Sequence, residues 1–156
     1  MATKKLLFID PHKDWLKLVK STLKPPEYDA MISPTLDFLL KIDANEHFDL
    51  VFIGLQLAKQ NIKTISGLAL SYTWRFVVLF PGFPDQKTAR IMFKSGIRDI
   101  SSKPYDAESI KKMVEEEIAY VKKKNHIRNR EIDFNTRLNR LSEIIYTPSP
   151  ARSHKQ

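Results

Sequence analysis

The stretch FDLVFIG, residues 48–54, is a run of mostly apolar residues that ends on a glycine. Two further runs have the same character: KKLLFID at residues 4–10 and RFVVLFPG at residues 75–82. Strands that are apolar without alternation are typical of parallel sheets, which are covered on both faces, because a sheet with one wet face alternates apolar and polar residues. The three runs therefore predict strands of a parallel sheet.

Helical patterns lie between and after these runs. In most of them, apolar residues recur at the three- and four-residue spacing of a helix face. The predicted helices cover residues 12–23, 34–43, 64–71, 85–96 and 106–124. The third is the poorest, because Gly67 lies in its middle. Gly96 is suited to end the fourth helix, and Asp106 is suited to cap the amino end of the fifth.

Two weaker strand candidates complete the pattern, YDAMIS at residues 28–33 and IRDIS at residues 97–101. Strands and helices that alternate at intervals of about twenty residues indicate right-handed βαβ units. We therefore predict an α/β fold with a doubly wound, five-stranded parallel sheet, followed by a C-terminal helical extension.

The composition excludes several classes of function. The chain has 156 residues, of which 42% are hydrophobic, and this is enough for one domain with an appendage. It has no cysteine, which excludes disulfides, thiolate metal sites and thiol nucleophiles. No apolar run approaches the roughly twenty residues that span a bilayer, so we expect no membrane insertion and a cytoplasmic protein.

The net charge of +8 is concentrated at the C-terminus. Residues 1–121 carry seventeen basic and fifteen acidic side chains, whereas residues 122–156 carry nine and three. Such a basic tail is compatible with nucleic acid, an anionic membrane surface, an acidic protein partner or a solvated, disordered end.

The chain after residue 124 divides into two parts. Residues 125–146 are predicted to form an amphipathic helix, whose apolar residues follow the spacing +4, +3, +4; they are Phe134, Leu138, Leu141 and Ile145. This stripe must be buried on its own domain, on a second copy or in a partner's groove. Residues 147–156 have two prolines and no apolar periodicity, and we expect a disordered basic tail.

Residues 4–124 resemble the receiver domain of bacterial two-component response regulators. The resemblance rests on the three apolar runs and above all on SGIRDISSKPYD at residues 95–106, which is similar to the family's closing signature before its lysine and proline. It implies a flavodoxin-like fold with the strand order 2-1-3-4-5.

The resemblance also implies where an active site would lie, and most of its positions are altered. The family has an acidic pair after the first strand that holds Mg²⁺, and this chain has Asp10 followed by Pro11. The family's phosphoacceptor aspartate at the tip of the third strand matches Gly54. Its Ser or Thr after the fourth strand matches Phe80. The chain is thus expected to be a pseudo-receiver without the phosphoacceptor.

The family's conserved lysine is retained as Lys103, but its rotating aromatic residue is replaced by Ile100. Independently of the family, a glycine offers no oxygen to phosphorylate, and one carboxylate beside a proline is a poor Mg²⁺ site. We expect no enzyme activity and no cofactor. We also expect that Phe80 fills the space above Gly54 and that Lys103 pairs with Asp10, because a buried lysine needs a partner.

The function predicted from the sequence is a phosphorylation-independent signalling adaptor that binds a protein partner and itself. Receivers use the surface of the fourth helix, fifth strand and fifth helix for output, and here Ile91, Ile100 and Tyr105 are predicted to form an apolar patch on it. The C-terminal helix is the second predicted binding surface. The alternative is a nucleic-acid-binding regulator that uses residues 122–156, although they show no known DNA-binding motif.

Overall fold

The structure of the protein, a computed structural model, describes residues 2–42, 46–71, 75–97 and 99–127. Its five strands form one parallel sheet in the order β2-β1-β3-β4-β5, as predicted. The strands are β1 (Lys4–Ile9), β2 (Tyr28–Ser33), β3 (Leu50–Gly54), β4 (Arg75–Phe80) and β5 (Asp99–Ser102).

The described part of the chain also forms six helices, which lie between and after these strands. They are α1 (Lys13–Thr22), α2 (Asp37–Leu40), α3 (Leu55–Gln60), α4 (Ile62–Ser71), α5 (Gln86–Lys94) and α6 (Ala107–Ile127). Helix α3 was not predicted, because six residues starting directly at the end of a strand are too short to show a helical period. Helix α2 is shorter than expected, and α6 continues three residues beyond the predicted end at residue 124.

Both faces of the sheet are covered, as the unbroken apolar runs predict. All five residues of β3 are buried, and they alternate between two core clusters. Leu50 and Phe52 pack in the cluster that contains residues of α1 and α6. Val51 and Ile53 pack in the cluster that contains residues of α2, α3, α4 and α5.

The ends of β1 and β3 lie at the switch point of the sheet, where the chain stops adding strands on one side of β1 and begins to add them on the other. Strand β1 pairs with β2 on one side and with β3 on the other, so the helices that follow β1 and β3 cover opposite faces. In open α/β sheets, this leaves a crevice at the carboxyl ends of the strands, where ligands usually bind. Asp10 and Gly54 lie at this crevice.

The predicted helix-end signals are confirmed. Gly96 follows the last turn of α5 with a φ of +93°, a conformation that favours glycine. The Asp106 carboxylate accepts a hydrogen bond from the Ser109 backbone N–H, with Oδ1 and N 2.8 Å apart, at the start of α6. None of the helices in the described ranges is long and apolar enough to cross a membrane.

Candidate functional site

A buried ion pair occupies the carboxyl edge of the sheet. Asp10 directly follows β1 and is 2% exposed, whereas Lys103 directly follows β5 and is 8% exposed. The Lys103 Nζ lies 2.9 Å from the Asp10 Oδ2, so the predicted pairing is confirmed. The backbone fixes both ends, because the Asp10 N–H donates to the Ser33 carbonyl and the Lys103 N–H donates to the Phe80 carbonyl.

His12 closes the pair on the solvent side. Its backbone N–H donates to the Asp10 Oδ1 across 2.9 Å. Its ring Nδ1 lies 2.9 Å from that same oxygen and 3.2 Å from the Lys103 Nζ. An Nδ1 that carries a hydrogen donates to the carboxylate, and one that carries none accepts from the ammonium. In either tautomer, both carboxylate oxygens of Asp10 have a partner.

Two aromatic rings complete the surroundings of the lysine. The Lys103 Nζ lies 4.5 Å from the ring centroid of Trp15 and 5.8 Å from that of Tyr105. Such distances allow cation–π attraction, which adds to the ion pair. The Trp15 indole N–H donates to the Pro104 carbonyl across 2.6 Å, and this ties α1 to the segment that carries the lysine.

Gly54 lies directly beneath the Asp10 carboxylate. A Cβ at residue 54 would lie 2.5 Å from the Asp10 Oδ2, closer than real Cβ atoms approach, and 3.2 Å from its Cγ, which is a tight contact. The backbone of Gly54 is ordinary, with φ −61° and ψ 140°, so only the contact with Asp10 requires glycine here. The missing side chain leaves the room in which Asp10 meets Lys103.

The prediction that Phe80 fills the space above Gly54 is wrong. Gly54 pairs with Leu79, and successive residues of a strand point to opposite faces of the sheet. Phe80 is buried in the core cluster with Val51 and Ile53, on the face opposite to the one that residue 54 addresses. The Asp10 carboxylate fills the space instead.

The residues present do not fit the Mg²⁺ ion that the resemblance implies. Mg²⁺ requires several oxygen ligands in an octahedral array, and at the positions that match the family's site Asp10 supplies a carboxylate while Pro11 and Gly54 supply no side-chain oxygen. Both Asp10 oxygens are already engaged by Lys103 and His12. Among the residues that the structure describes, no cluster of three metal-ligating side chains occurs.

The predicted output surface is only partly exposed. Ile91 and Tyr105 are 45% and 60% exposed, as expected of binding residues. Ile100 is 9% exposed and belongs to the core cluster on the α2–α5 face, so the prediction that it is part of an exposed patch is wrong. Ile100 lies on β5, beside β4, and packs into the core of that face. The predicted stripe of the C-terminal helix lies outside the described residues; it comprises Phe134, Leu138, Leu141 and Ile145.

Two features of this edge were missed in the sequence. His12 follows Asp10 by two residues, the spacing at which a carboxylate commonly accepts from the backbone, and this signal would have found it. Phe83 is 96% exposed on the loop between β4 and α5. Side chains fix this loop, since the Tyr105 hydroxyl donates to the Pro81 carbonyl and the Ser102 hydroxyl donates to the Gly82 carbonyl. An aromatic residue between two prolines in a turn was the available signal.

Comparison with known proteins identifies the fold. No protein-family model and no curated protein sequence matches the chain. Among solved structures, a CheY-like receiver domain protein from Methanospirillum hungatei matches with a TM-score of 0.61 and 19% identity, over 78% of this chain and 98% of that one. The signal receiver domain of an HD domain-containing protein from Pseudomonas fluorescens matches with a TM-score of 0.61 and 21% identity, over 76% of this chain and 96% of that one. A two-component response regulator from Clostridium difficile matches with a TM-score of 0.56 and 22% identity, over 81% of this chain and 98% of that one. The chain therefore has the fold of CheY-like receiver domains.

Proposed function

We propose that the protein is a receiver-like adaptor of bacterial two-component signalling that acts without phosphorylation, by binding a protein partner and a second copy of itself. The observation that carries this proposal is the ion pair of Asp10 and Lys103 above Gly54, with Nζ and Oδ2 2.9 Å apart. The signalling context is supported by the receiver domains that share the fold.

The chemistry of the crevice supports independence from phosphorylation. Phosphoryl transfer requires a nucleophilic oxygen, a metal ion and positioned positive charge. Gly54 supplies no oxygen, and the charge of Lys103 is already neutralised by Asp10. An attack by Asp10 itself would require its carboxylate to leave both Lys103 and His12, and a carboxylate so engaged is a poor nucleophile.

Binding of a partner is supported by the apolar residues that the fold leaves on its surface. Phe83, Ile91 and Tyr105 are all exposed, and they lie on α5 or on the segments that flank α5 and β5. Exposed aromatic and aliphatic side chains on rigid segments are typical of the residues that dominate protein interfaces. The C-terminal helix predicted for residues 125–146 is the second proposed surface.

Treatment of the full chain with acetyl phosphate and Mg²⁺, followed by intact-mass spectrometry, tests independence from phosphorylation. We expect the mass to remain that of the unmodified chain. The positive control is a receiver domain that retains its acceptor aspartate, treated in the same mixture, because it shows that the reaction conditions allow phosphorylation. A phosphoryl adduct on the native chain, mapped to Asp10 or to any residue of the crevice, would contradict the proposal.

A further inference from the structure

The outer side of α5 combines positive charge with an apolar centre. Four of its residues follow the spacing i, i+3, i+4, i+7 and therefore share one side of the helix. Together with Gln86 they line a shallow groove that is wide open to solvent and is formed by α5 alone; they are Lys87, Arg90, Ile91 and Lys94.

The packing of α5 fixes this side toward solvent. Ala89 and Met92, on the opposite side of the helix, are fully buried in the core. The amino end is held by Asp85, whose Oδ2 accepts a hydrogen bond from the Thr88 backbone N–H across 2.9 Å. The groove is therefore a preset surface, and binding to it does not require the helix to turn.

Lys87 and Lys94 give the groove positive charge that no acid in the described part of the chain neutralises through a salt bridge. Lys87 and Lys94 are exposed, and neither forms a salt bridge with a described residue. Arg90 is half-buried between them. The nearest acid along the chain, Asp85, uses its carboxylate to cap the helix.

We propose that this groove docks an acidic segment of a partner protein, which packs an apolar side chain against Ile91 and places carboxylates against Lys87 and Lys94. The inference rests on the proposed adaptor function and names the chemistry of its partner. Opposite charges at the rim fix register and raise the rate of association, while the apolar centre supplies affinity.

The charge of the groove argues against its other occupants. A second copy placed symmetrically would set the cations of one α5 against those of the other, and like charges across an interface are repelled. Nucleic acid would satisfy the lysines, but a phosphate backbone offers no apolar partner to Ile91. Self-association of the adaptor is therefore assigned to a different surface.

Amide chemical-shift perturbation on the full, isotope-labelled chain tests the inference. The probe is a synthetic helical peptide that carries one leucine flanked by glutamates on the same face. Its first control is the same peptide with glutamine in place of each glutamate, and its second is a single-stranded oligonucleotide of equal charge. We expect the glutamate peptide to shift the amides of residues 86–94, with much smaller shifts from either control.

Matched variants separate charge from apolar contact. We expect Ile91→Ser, and separately the double change Lys87→Ala with Lys94→Ala, to raise the Kd for the glutamate peptide roughly tenfold. Leu70→Ser on α4 and Lys111→Ala with Lys112→Ala on α6 alter exposed residues of the same kinds elsewhere and should leave the Kd unchanged.

Three results would overturn the inference: no shift at residues 86–94 with millimolar glutamate peptide, equal shifts with the oligonucleotide, or a dimer of the full chain that Ile91→Ser dissociates. These outcomes are separate from those of the phosphorylation experiment. A chain that becomes phosphorylated and still binds the peptide at α5 would contradict only the proposed independence from phosphorylation. A chain that stays unmodified and does not bind the peptide would contradict only this inference.

Discussion

At the scale of single residues, one missing side chain accounts for the arrangement of the crevice. The Asp10 carboxylate occupies the volume that a Cβ of residue 54 would need, and in that position it reaches Lys103. A buried lysine without a partner would be strongly destabilising, as would a buried aspartate, so each residue permits the burial of the other. The absence of a side chain at Gly54 thus allows the ion pair to form, although Gly54 contributes no atom to it.

The substitution Gly54→Ala should destabilise the fold. Its Cβ would displace the Asp10 carboxylate from Lys103, because the nearest oxygen would lie at 2.5 Å. We expect the free energy of unfolding to fall by about 2 kcal/mol, part of the cost of breaking a buried ion pair. Urea denaturation followed by circular dichroism measures this difference.

Gly67→Ala is the matched control for that substitution. A Cβ at Gly67 meets no atom within 4 Å, and the residue lies within α4. Alanine favours a helix over glycine, so this change should raise the free energy of unfolding by about 0.5–1 kcal/mol. Equal effects of the two substitutions would show that the room above Gly54 is not needed by Asp10.

At the scale of the elements, local signals were sufficient for most helices and strands. Strands β1, β3 and β4 follow apolar runs that are visible in the sequence, whereas β2 and β5 correspond to weaker candidates. The end of α5 follows from Gly96 and the start of α6 from Asp106. The pairing of Asp10 with Lys103 could also be predicted, because the carboxyl ends of parallel strands meet at one edge of the sheet.

Features that depend on register and on distant contacts could not be predicted. Phe80 was assigned to the wrong face because its direction depends on the alignment of β4 with β3, which the sequence does not encode locally. The contacts of Arg75 could not be predicted either. Its guanidinium lies 2.9 Å from a carboxylate oxygen of Asp99 and from one of Glu117, and it joins β4 and β5 to α6. These partners are 24 and 42 residues away along the chain, and no short-range pattern connects them.

The cap of α6 should make the stability of the protein depend on pH in acid. Hydrogen bonds from the Ser109 backbone N–H and hydroxyl hold the pKa of Asp106 below its ordinary value of 3.8. The folded state therefore binds the proton less tightly than the unfolded state does. The stability contributed by this carboxylate is present above about pH 4 and is lost as the pH falls through the folded pKa.

Comparison of Tm values across pH tests this cap. Asp106→Ala should lower the Tm at neutral pH, and the difference from the native chain should shrink below about pH 4. Asp106→Asn keeps an acceptor oxygen but has no charge to lose. We expect its Tm to lie slightly below that of the native chain at neutral pH, and this difference should also disappear in acid. A difference between native chain and Asp106→Ala that stays constant down to low pH would show that the carboxylate charge plays no part.

At the scale of the whole molecule, the described strands and helices all lie between Lys4 and Ile127. Among the described side chains, those that α6 contributes to the core are Ile110, Met113, Val114 and, partly buried, Ile118. The C-terminal segment, in contrast, carries most of the net positive charge. Core and charge are therefore separated along the chain, which suits a folded platform with a binding segment attached.

A chain that stops after Ile127 should accordingly be as stable as the full chain. It keeps every helix and strand that the structure describes, and we expect the two free energies of unfolding in urea to agree within about 0.5 kcal/mol. Ile110→Ala, which truncates a fully buried residue of α6, should lose about 2–5 kcal/mol and shows that the measurement senses this helix.

If the shortened chain loses more than about 1 kcal/mol, residues 128–156 pack on their own domain, contrary to the proposal that they bind elsewhere. If the free energies agree and sedimentation finds a dimer of the full chain but a monomer of the shortened one, the segment is the surface of self-association. Equal stability with monomers in both cases leaves the segment for a partner protein, and the self-association part of the proposal fails.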